Sequence, residues 1–393
     1  MDQLAIDVLK TALYHRVPAA GEVTKETIRQ LNDHAILTLT ADAISKYEAE
    51  PGVQEEVEQA LAHQMTSFVA YMSEQNKIMD ALSQAGCTAA VLKGASAAMY
   101  YPEPGLRRMG DIDFMVFPRT EETFEKAREV LQGLGYKEED RMERHLEFRK
   151  GKLELEMHRY FSHRRNQNEL LLDTIVGSST PVERSINSFG DYHFFSFPDE
   201  VNGIIFLDHI SHHLRSGLGF RQIIDWLMYV NAVVTDEFWQ QRLQPIAAST
   251  GVETLAKAVT RMGELFLGAP EHSWCADADE KVCKQLFDLI CEAGNFGKNR
   301  VRKDNLTTSI LNEGITIRKL QQRGMAHWSA AQKHKILRPF AWIYQICRYI
   351  RKGLKRDKNS AGVVANYKEH RKQKQLFEKL GIPHEEEDTA ANK

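Results

Sequence analysis

Asp111 and Asp113 stand two residues apart in the run Asp-Ile-Asp-Phe-Met-Val-Phe, whose other members are typical of a buried strand. Side chains alternate faces along a strand, so both carboxylates share one face while Ile112, Phe114 and Val116 fill the other. Two like charges so close are costly unless a cation neutralises them or one takes a proton. Carboxylate oxygens on a rigid strand suit Mg²⁺ or Mn²⁺, ions that in turn hold phosphates. An exposed edge strand would simply solvate such a pair, but the apolar flank argues against an edge.

Upstream, the apolar run Cys87 to Leu92 ends in Lys93-Gly94-Ala95-Ser96. Gly94 permits a sharp turn, and the first amides of a helix starting there would form an anion site. Lys93 adds a positive charge and Ser96 a hydroxyl donor. Arg107 and Arg108, in the following loop, are either surface residues or reach a triphosphate. Downstream, His145 to Arg149 and Leu153 to His158 both alternate around Lys150-Gly151, which predicts a β-hairpin. Leu153, Leu155 and Met157 face one way; Glu154, Glu156 and His158 face the other.

This constellation resembles the polymerase-β-like nucleotidyltransferase superfamily, whose pattern is a strand, a Gly-Gly or Gly-Ser turn, a helix, and a strand with two acidic residues. It is more closely similar to an uncharacterised bacterial branch reading Leu-Lys-Gly, then Arg-x-x-x-Asp-Ile-Asp, then an acidic residue just before Leu-His. The matching elements here are Leu92-Lys93-Gly94, Arg107 through Asp113, and Glu156-Met157-His158. The resemblance covers about Gly86 to Tyr160 and extends more weakly to Val233. It implies that Glu156 joins Asp111 and Asp113 as a third carboxylate, either completing a metal shell or acting as general base for an acceptor hydroxyl. It also implies phosphate contacts from Lys93, Gly94, Ser96 and Arg107. Two departures stand out: Ala95 replaces the usual Gly or Ser, shifting phosphate contact to Ser96, and Tyr101 to Gly105 lengthens the loop before Asp111.

The implied activity is Mg²⁺-dependent transfer of an NMP from an NTP to a hydroxyl or phosphate acceptor: a sugar phosphate, a small molecule, a protein or RNA. The competing reading is a nucleotide-binding regulator that kept the site but lost transfer.

The bulk numbers fit a soluble globular protein: 393 residues, 42% hydrophobic, 27% charged, and a net charge of −3. That charge gives no global attraction to nucleic acid or anionic membrane. No apolar run approaches a membrane span, and the start, Met-Asp-Gln-Leu-Ala-Ile-Asp, lacks a secretion signal, so a cytoplasmic protein is expected. Five scattered cysteines fit a reducing compartment. His272, Cys275, Cys283 and Cys291 lack a Cys-x-x-Cys knuckle, and the three cysteines read as buried helix thiols rather than part of a zinc site.

The expected fold class is α+β: a small mixed β-sheet nucleotidyltransferase core with an N-terminal helical segment and a mostly α-helical C-terminal part. The expected divisions are residues 1–86, helical; 87–197, catalytic; 198–330, helical; and 331–393, a basic amphipathic helix with a loosely ordered tail. Val53, Val57, Leu61, Met65, Phe68, Met72, Ile78, Met79 and Leu82 form an amphipathic stripe that predicts one long core helix ending at Gly86. Asp208, His209, His212, His213 and Arg215, followed by Arg221 and Asp225, predict a helical wall that positions nucleotide or acceptor, or an interhelical salt-bridge network. Lys335, Arg338, Arg348, Arg351, Lys352 and Lys355, interleaved with Trp342 and Tyr344, either lie solvated or make weak nucleic-acid or membrane-surface contact.

Overall fold

Three helices of nine residues or more, and one short one at Ala41–Ile44, precede the first long strand. The first, α1 (Gln3–Tyr14), is capped by Asp2, whose carboxylate accepts from the Ala5 amide. The second, α2 (Lys25–Asp33), has a reciprocal capping box between Thr24 and Thr27. A short parallel bridge joins Glu22–Val23 to Glu48–Ala49. The third helix, α3 (Val53–Gln84), runs 32 residues and buries Val53, Val57, Phe68, Met72, Ile78, Met79 and Leu82 from the expected stripe. Met65 leaves it, 42% exposed, while Gln64, Tyr71 and Gln75 are buried. A stripe read at fixed spacing drifts around a helix this long, so its midsection rotates off the core.

This computed structural model describes residues 1–164, 166–293, 320–321, 324–325, 328, 330–331, 334–354 and 371–382, with only the backbone described for 215–216 and 349–354. They fall into two compact units, Met1–Asn299 and Arg300–Lys393.

The sheet elements follow α3: β1 (Thr88–Val91), β2 (Ile112–Phe117), α4 (Glu121–Gly133), β3 (Lys137–Arg141), β4 (His145–Lys150), β5 (Leu153–His158), α5 (Gln167–Ser178), β6 (Val182–Asn187) and β7 (Asp191–Ser196). The seven strands lie in the order β3-β4-β5-β2-β1-β7-β6. The sheet is mixed: β2 is antiparallel to β1 but parallel to β5, and β7 is parallel to β1. The fold is α+β, as expected. Gly151 turns the β4–β5 hairpin at φ +63. The edge strands β3 and β6 escape sequence reading, because their charged, exposed residues lack an apolar alternation.

One sheet face packs Ile112, Phe114, Val116, Leu146, Phe148, Leu155 and Met157 into a core with Phe68, Met72, Met79 and Leu82 of α3 and Phe124, Ala127 and Leu131 of α4. Because the pleat sends alternate residues the other way, that core presents Asp113, Glu156 and His158 to the opposite face. There stand α6 (Asp199–Ser216) and α7 (Phe220–Val233), followed by α8 (Glu253–Met262) and α9 (Glu280–Ala293).

In the second unit, residues 335–340 form a 3₁₀ turn leading into α10 (Ala341–Leu354). Ile336, Phe340 and Ile343 of the expected apolar face are exposed, whereas Ala341 and Gln345 are buried. Lys355, Arg356 and Lys358 and the Glu385–Glu387 tail lie outside the described residues, as do the side chains of Arg351 and Lys352. Residues 371–379, expected to be loosely ordered, are helical and bury Leu376 and Phe377, an i, i+1 pair whose apolar surface the charge count obscured. Among the described residues no helix is long and apolar enough to cross a membrane.

Candidate active site

The site is assembled where β1 ends and β2 begins. The Leu92 amide donates to the Asp113 carbonyl at 2.9 Å, carrying the β1–β2 pairing one residue past the strand. Gly94 then turns the chain at φ +62, and a Cβ there would lie 2.4 Å from the Tyr71 hydroxyl oxygen. Glycine is therefore required twice over, by conformation and by the tyrosine that crosses the turn. That same hydroxyl donates to the Asp111 carbonyl at 3.1 Å, so α3 braces the backbone on both sides of the site.

The helix expected after Gly94 is a single turn, Ala95–Ala98, too short to supply much of a helix dipole. Ser96 is fully buried; its hydroxyl meets Ser196 Oγ and donates to Asn202 Oδ1 at 3.1 Å. It ties the turn to β7 and α6 and does not line the cavity beside Gly94. A small polar serine after a glycine turn reads as a phosphate donor, because the partners that claim its hydroxyl lie about a hundred residues further along the chain.

The loop from Tyr101 to Gly110 is pinned by a buried ion pair. Arg107 Nε and Nη2 each donate to Asp225 of α7 at 2.7 Å, and the Tyr101 hydroxyl adds a third bond at 2.6 Å. Asp225 is thereby spent on Arg107, the salt-bridge alternative for that part of the helical wall. Arg107 borders the cavity, but its guanidinium is committed; Arg221 also reaches it and donates to the Arg108 carbonyl at 3.2 Å.

Asp111, Asp113 and Glu156 each place a carboxylate oxygen within 4.8 Å of the others. Register explains the convergence, because Asp113 of β2 is the direct partner of Glu156 on the parallel strand β5. Asp113 is 1% exposed; one oxygen takes Lys93 Nζ at 2.9 Å and His158 Nε2 at 3.3 Å, while the other has no hydrogen-bond partner. His158 Nε2 also lies 3.2 Å from Glu156.

The electrostatics follow from this crowding. Asp113 repels charge on Asp111 and, with burial, pushes its carboxyl up. Burial works against ionising Glu156 too, yet the hydrogen bond and charge of His158 hold it down at about 2. Burial opposes the Lys93 ammonium, but Asp113, Asp111 and Glu156 together raise its pKa. Three carboxylates share one lysine and one histidine, and a buried carboxylate oxygen is left over. Such a hard-oxygen donor set fits a divalent cation such as Mg²⁺ or Mn²⁺.

The carboxylates open into a cavity of about 320 Å³ whose far wall is Asp208, His209, His212 and His213 of α6, with Arg144 at its rim. Of the sequence candidates, Lys93, Gly94, Arg107, Asp111, Asp113 and Glu156 line it, and Ser96 does not. His209 and His213 meet edge to face, 4.5 Å between ring centroids, as their i, i+4 spacing allows. Burial keeps both imidazoles neutral, His213 falling to about 4, and pushes Asp208 up to about 6. Sequence reading misses Arg144 and Tyr71: Arg144 has no patterned neighbour, and Tyr71 passes for one more core aromatic of α3. A larger cavity of about 850 Å³, between α3 and the β4–β5 hairpin, shares Gly110 with the first. Away from the site, the Cys275 thiol and the His272 amide both donate to Glu264.

The family described as "Uncharacterised nucleotidyltransferase" matches residues 23–268, well over half of the chain. The chain belongs to this family. The family's span is wider than the motif region, taking in α2, α3, the whole sheet and the helices α6 to α8, of which α6 and α7 wall the cavity. A solved structure titled as an antigenic nucleotidyltransferase-like protein from Paracoccidioides brasiliensis is similar at 17% identity, covering 53% of this chain and 94% of its own, with a TM-score of 0.31. Among curated proteins no match is found.

Proposed function

We propose that this nucleotidyltransferase-family chain moves an NMP from an NTP to a hydroxyl or phosphate oxygen of an acceptor, with Mg²⁺ or Mn²⁺ held by Asp111, Asp113 and Glu156. The observation that carries the reading is the convergence of these three carboxylates within 4.8 Å beside the Lys93-Gly94 turn. When bound, the ion neutralises the carboxylates and stabilises charge developing on the phosphates. An acceptor oxygen bonds to the α-phosphorus, the bond from that phosphorus to the bridging oxygen breaks, pyrophosphate departs, and a hydroxyl acceptor's proton passes to water.

The chain's own groups divide the remaining work. Lys93, whose Nζ lies 2.9 Å from Asp113, would supply positive charge to the phosphates. Gly94 lets the backbone approach them. Arg107 serves by position, holding the loop that sets Asp111 against α7, because its Nε and Nη2 are already committed to Asp225. His158 fixes the orientation of Asp113 and Glu156. Glu156, held low against its burial by the hydrogen bond and charge of His158, serves in this scheme as a ligand. The adjoining larger cavity, meeting the first at Gly110, offers the acceptor a place to lie.

Incubation of the protein with each labelled NTP, Mg²⁺ and a cell extract tests the reading. A labelled product that depends on Glu156 is expected. Tight NTP binding with no product from any NTP would move the assignment to a nucleotide-binding regulator.

A further inference from the structure

His145 and His158 are direct cross-strand partners on β4 and β5, with ring centroids 5.1 Å apart. Both are buried, 6% and 4% exposed. Each has a ligand atom within 4.8 Å of the other's and of a Glu156 oxygen. The proposed hard-oxygen site uses neither ring as a ligand, although Glu156 belongs to both clusters.

Of the two rings, His158 is the one that faces the carboxylates of the site. His158 spends Nε2 on Asp113 and Glu156, and its buried Nδ1 has no partner. Leaving a buried nitrogen unpaired is costly. The nitrogen that an ion shared with Glu156 would take is Nε2, which already faces that carboxylate, and Nδ1 would then be free to orient the ring through a second partner. His145 is partnered at both nitrogens, Nε2 lying 3.3 Å from Glu147 and Nδ1 accepting from Arg144 Nε at 3.3 Å, so an ion there would displace one of these contacts.

We propose that His145, His158 and Glu156 form a second cation site, for a borderline ion such as Zn²⁺, Co²⁺ or Mn²⁺, joined to the Asp111–Asp113 site through Glu156. Imidazole nitrogens favour such ions, whereas Mg²⁺ prefers oxygen alone. Three protein ligands leave open positions for water or a phosphate oxygen. The proposal rests on the carboxylate site only for the shared Glu156, and it stands whether or not nucleotidyl transfer is found.

The full chain, stripped with chelator and titrated with Co²⁺ alone without nucleotide, provides the test. The expected visible spectrum is that of nitrogen and oxygen ligation, without the thiolate charge-transfer band that binding at a cysteine would give. His145→Gln and His158→Gln should each weaken Co²⁺ and Zn²⁺ binding by at least about 10–100-fold. Asp111→Asn should leave it within about threefold, since Asp111 belongs only to the oxygen site. Matching melting curves of the metal-free variants separate lost ligation from lost folding. A Co²⁺ spectrum and affinity unchanged in both histidine variants, or thiolate-type bands throughout, would overturn the proposal. A histidine-dependent spectrum in a protein that transfers no nucleotide would sink the functional reading and leave this site intact. Transfer with Mg²⁺ but no histidine-dependent Co²⁺ binding would do the reverse.

Discussion

Asp113 and Glu156 face each other across two parallel neighbouring strands, and one histidine nitrogen, His158 Nε2, lies 3.3 Å from the first and 3.2 Å from the second. A β-hairpin thus delivers both the third carboxylate and the group that orients it. Asp113→Asn should preserve the fold, since the amide still meets Lys93 and His158, but remove one charge from the cation site. Pyrophosphate release is expected to fall at least about 10³-fold, on the scale of losing a key charge-stabilising group. Unchanged release in the variant would remove the central assignment.

Glu156 differs from its neighbour Glu154, which pairs with Arg149 at the solvent-exposed end of the hairpin. Glu156→Gln should lower kcat strongly with NTP affinity nearly kept, and Glu154→Gln should do neither. Steady-state kinetics on the two variants separate a site carboxylate from a solvated strand face.

The Arg107–Asp225 pair is almost fully buried, with side chains 4% and 5% exposed. Removing one partner leaves an unpaired buried charge, so Asp225→Ala should cost about 3–5 kcal/mol in urea denaturation. Arg107→Met combined with Asp225→Leu should recover most of that loss. If the single variant costs under about 1 kcal/mol, the loop is held by other contacts.

At Gly94 the backbone conformation and the Tyr71 hydroxyl both exclude a side chain. Gly94→Ala should destabilise by about 1–3 kcal/mol from conformation alone. Adding Tyr71→Phe should restore part of the loss by removing the oxygen in the way. Additive effects in this double-mutant cycle would show that the tyrosine is not what crowds the turn.

Asp208 supplies a pH dependence. Burial raises its carboxyl from 3.8 to about 6, so the folded chain holds this proton more tightly than the unfolded one. The resulting stability is complete below about pH 4 and is lost as pH rises to about 6; above that, the ionised buried carboxylate weighs against folding. Asp208→Asn should therefore gain about 1–3 kcal/mol at pH 8 and almost nothing at pH 4. Denaturant midpoints at the two pH values measure the difference.

What the sequence determined by itself was local. Alternation in Ile112, Phe114 and Val116 against Asp111 and Asp113 set the strand and its polar face. Gly94 and Gly151 marked turns that both adopt positive φ. The apolar spacing after Pro51 marked α3, and the paired alternation from His145 to His158 marked the hairpin. These features follow from periodicity and backbone sterics, which need no distant partner. Tertiary structure decided everything that depended on what lay opposite. Ser96 became a core hydrogen-bonding group because β7 and α6 bring Ser196 and Asn202 to it. Arg107 became a buried tether because Asp225 waits on α7. Edge strands β3 and β6 were invisible because an edge is stabilised by backbone pairing, which leaves little mark on side-chain pattern. The approach of Glu156 to Asp113 was likewise a matter of register, set by β5 running parallel to β2, and register is a relation between segments that neither segment encodes alone.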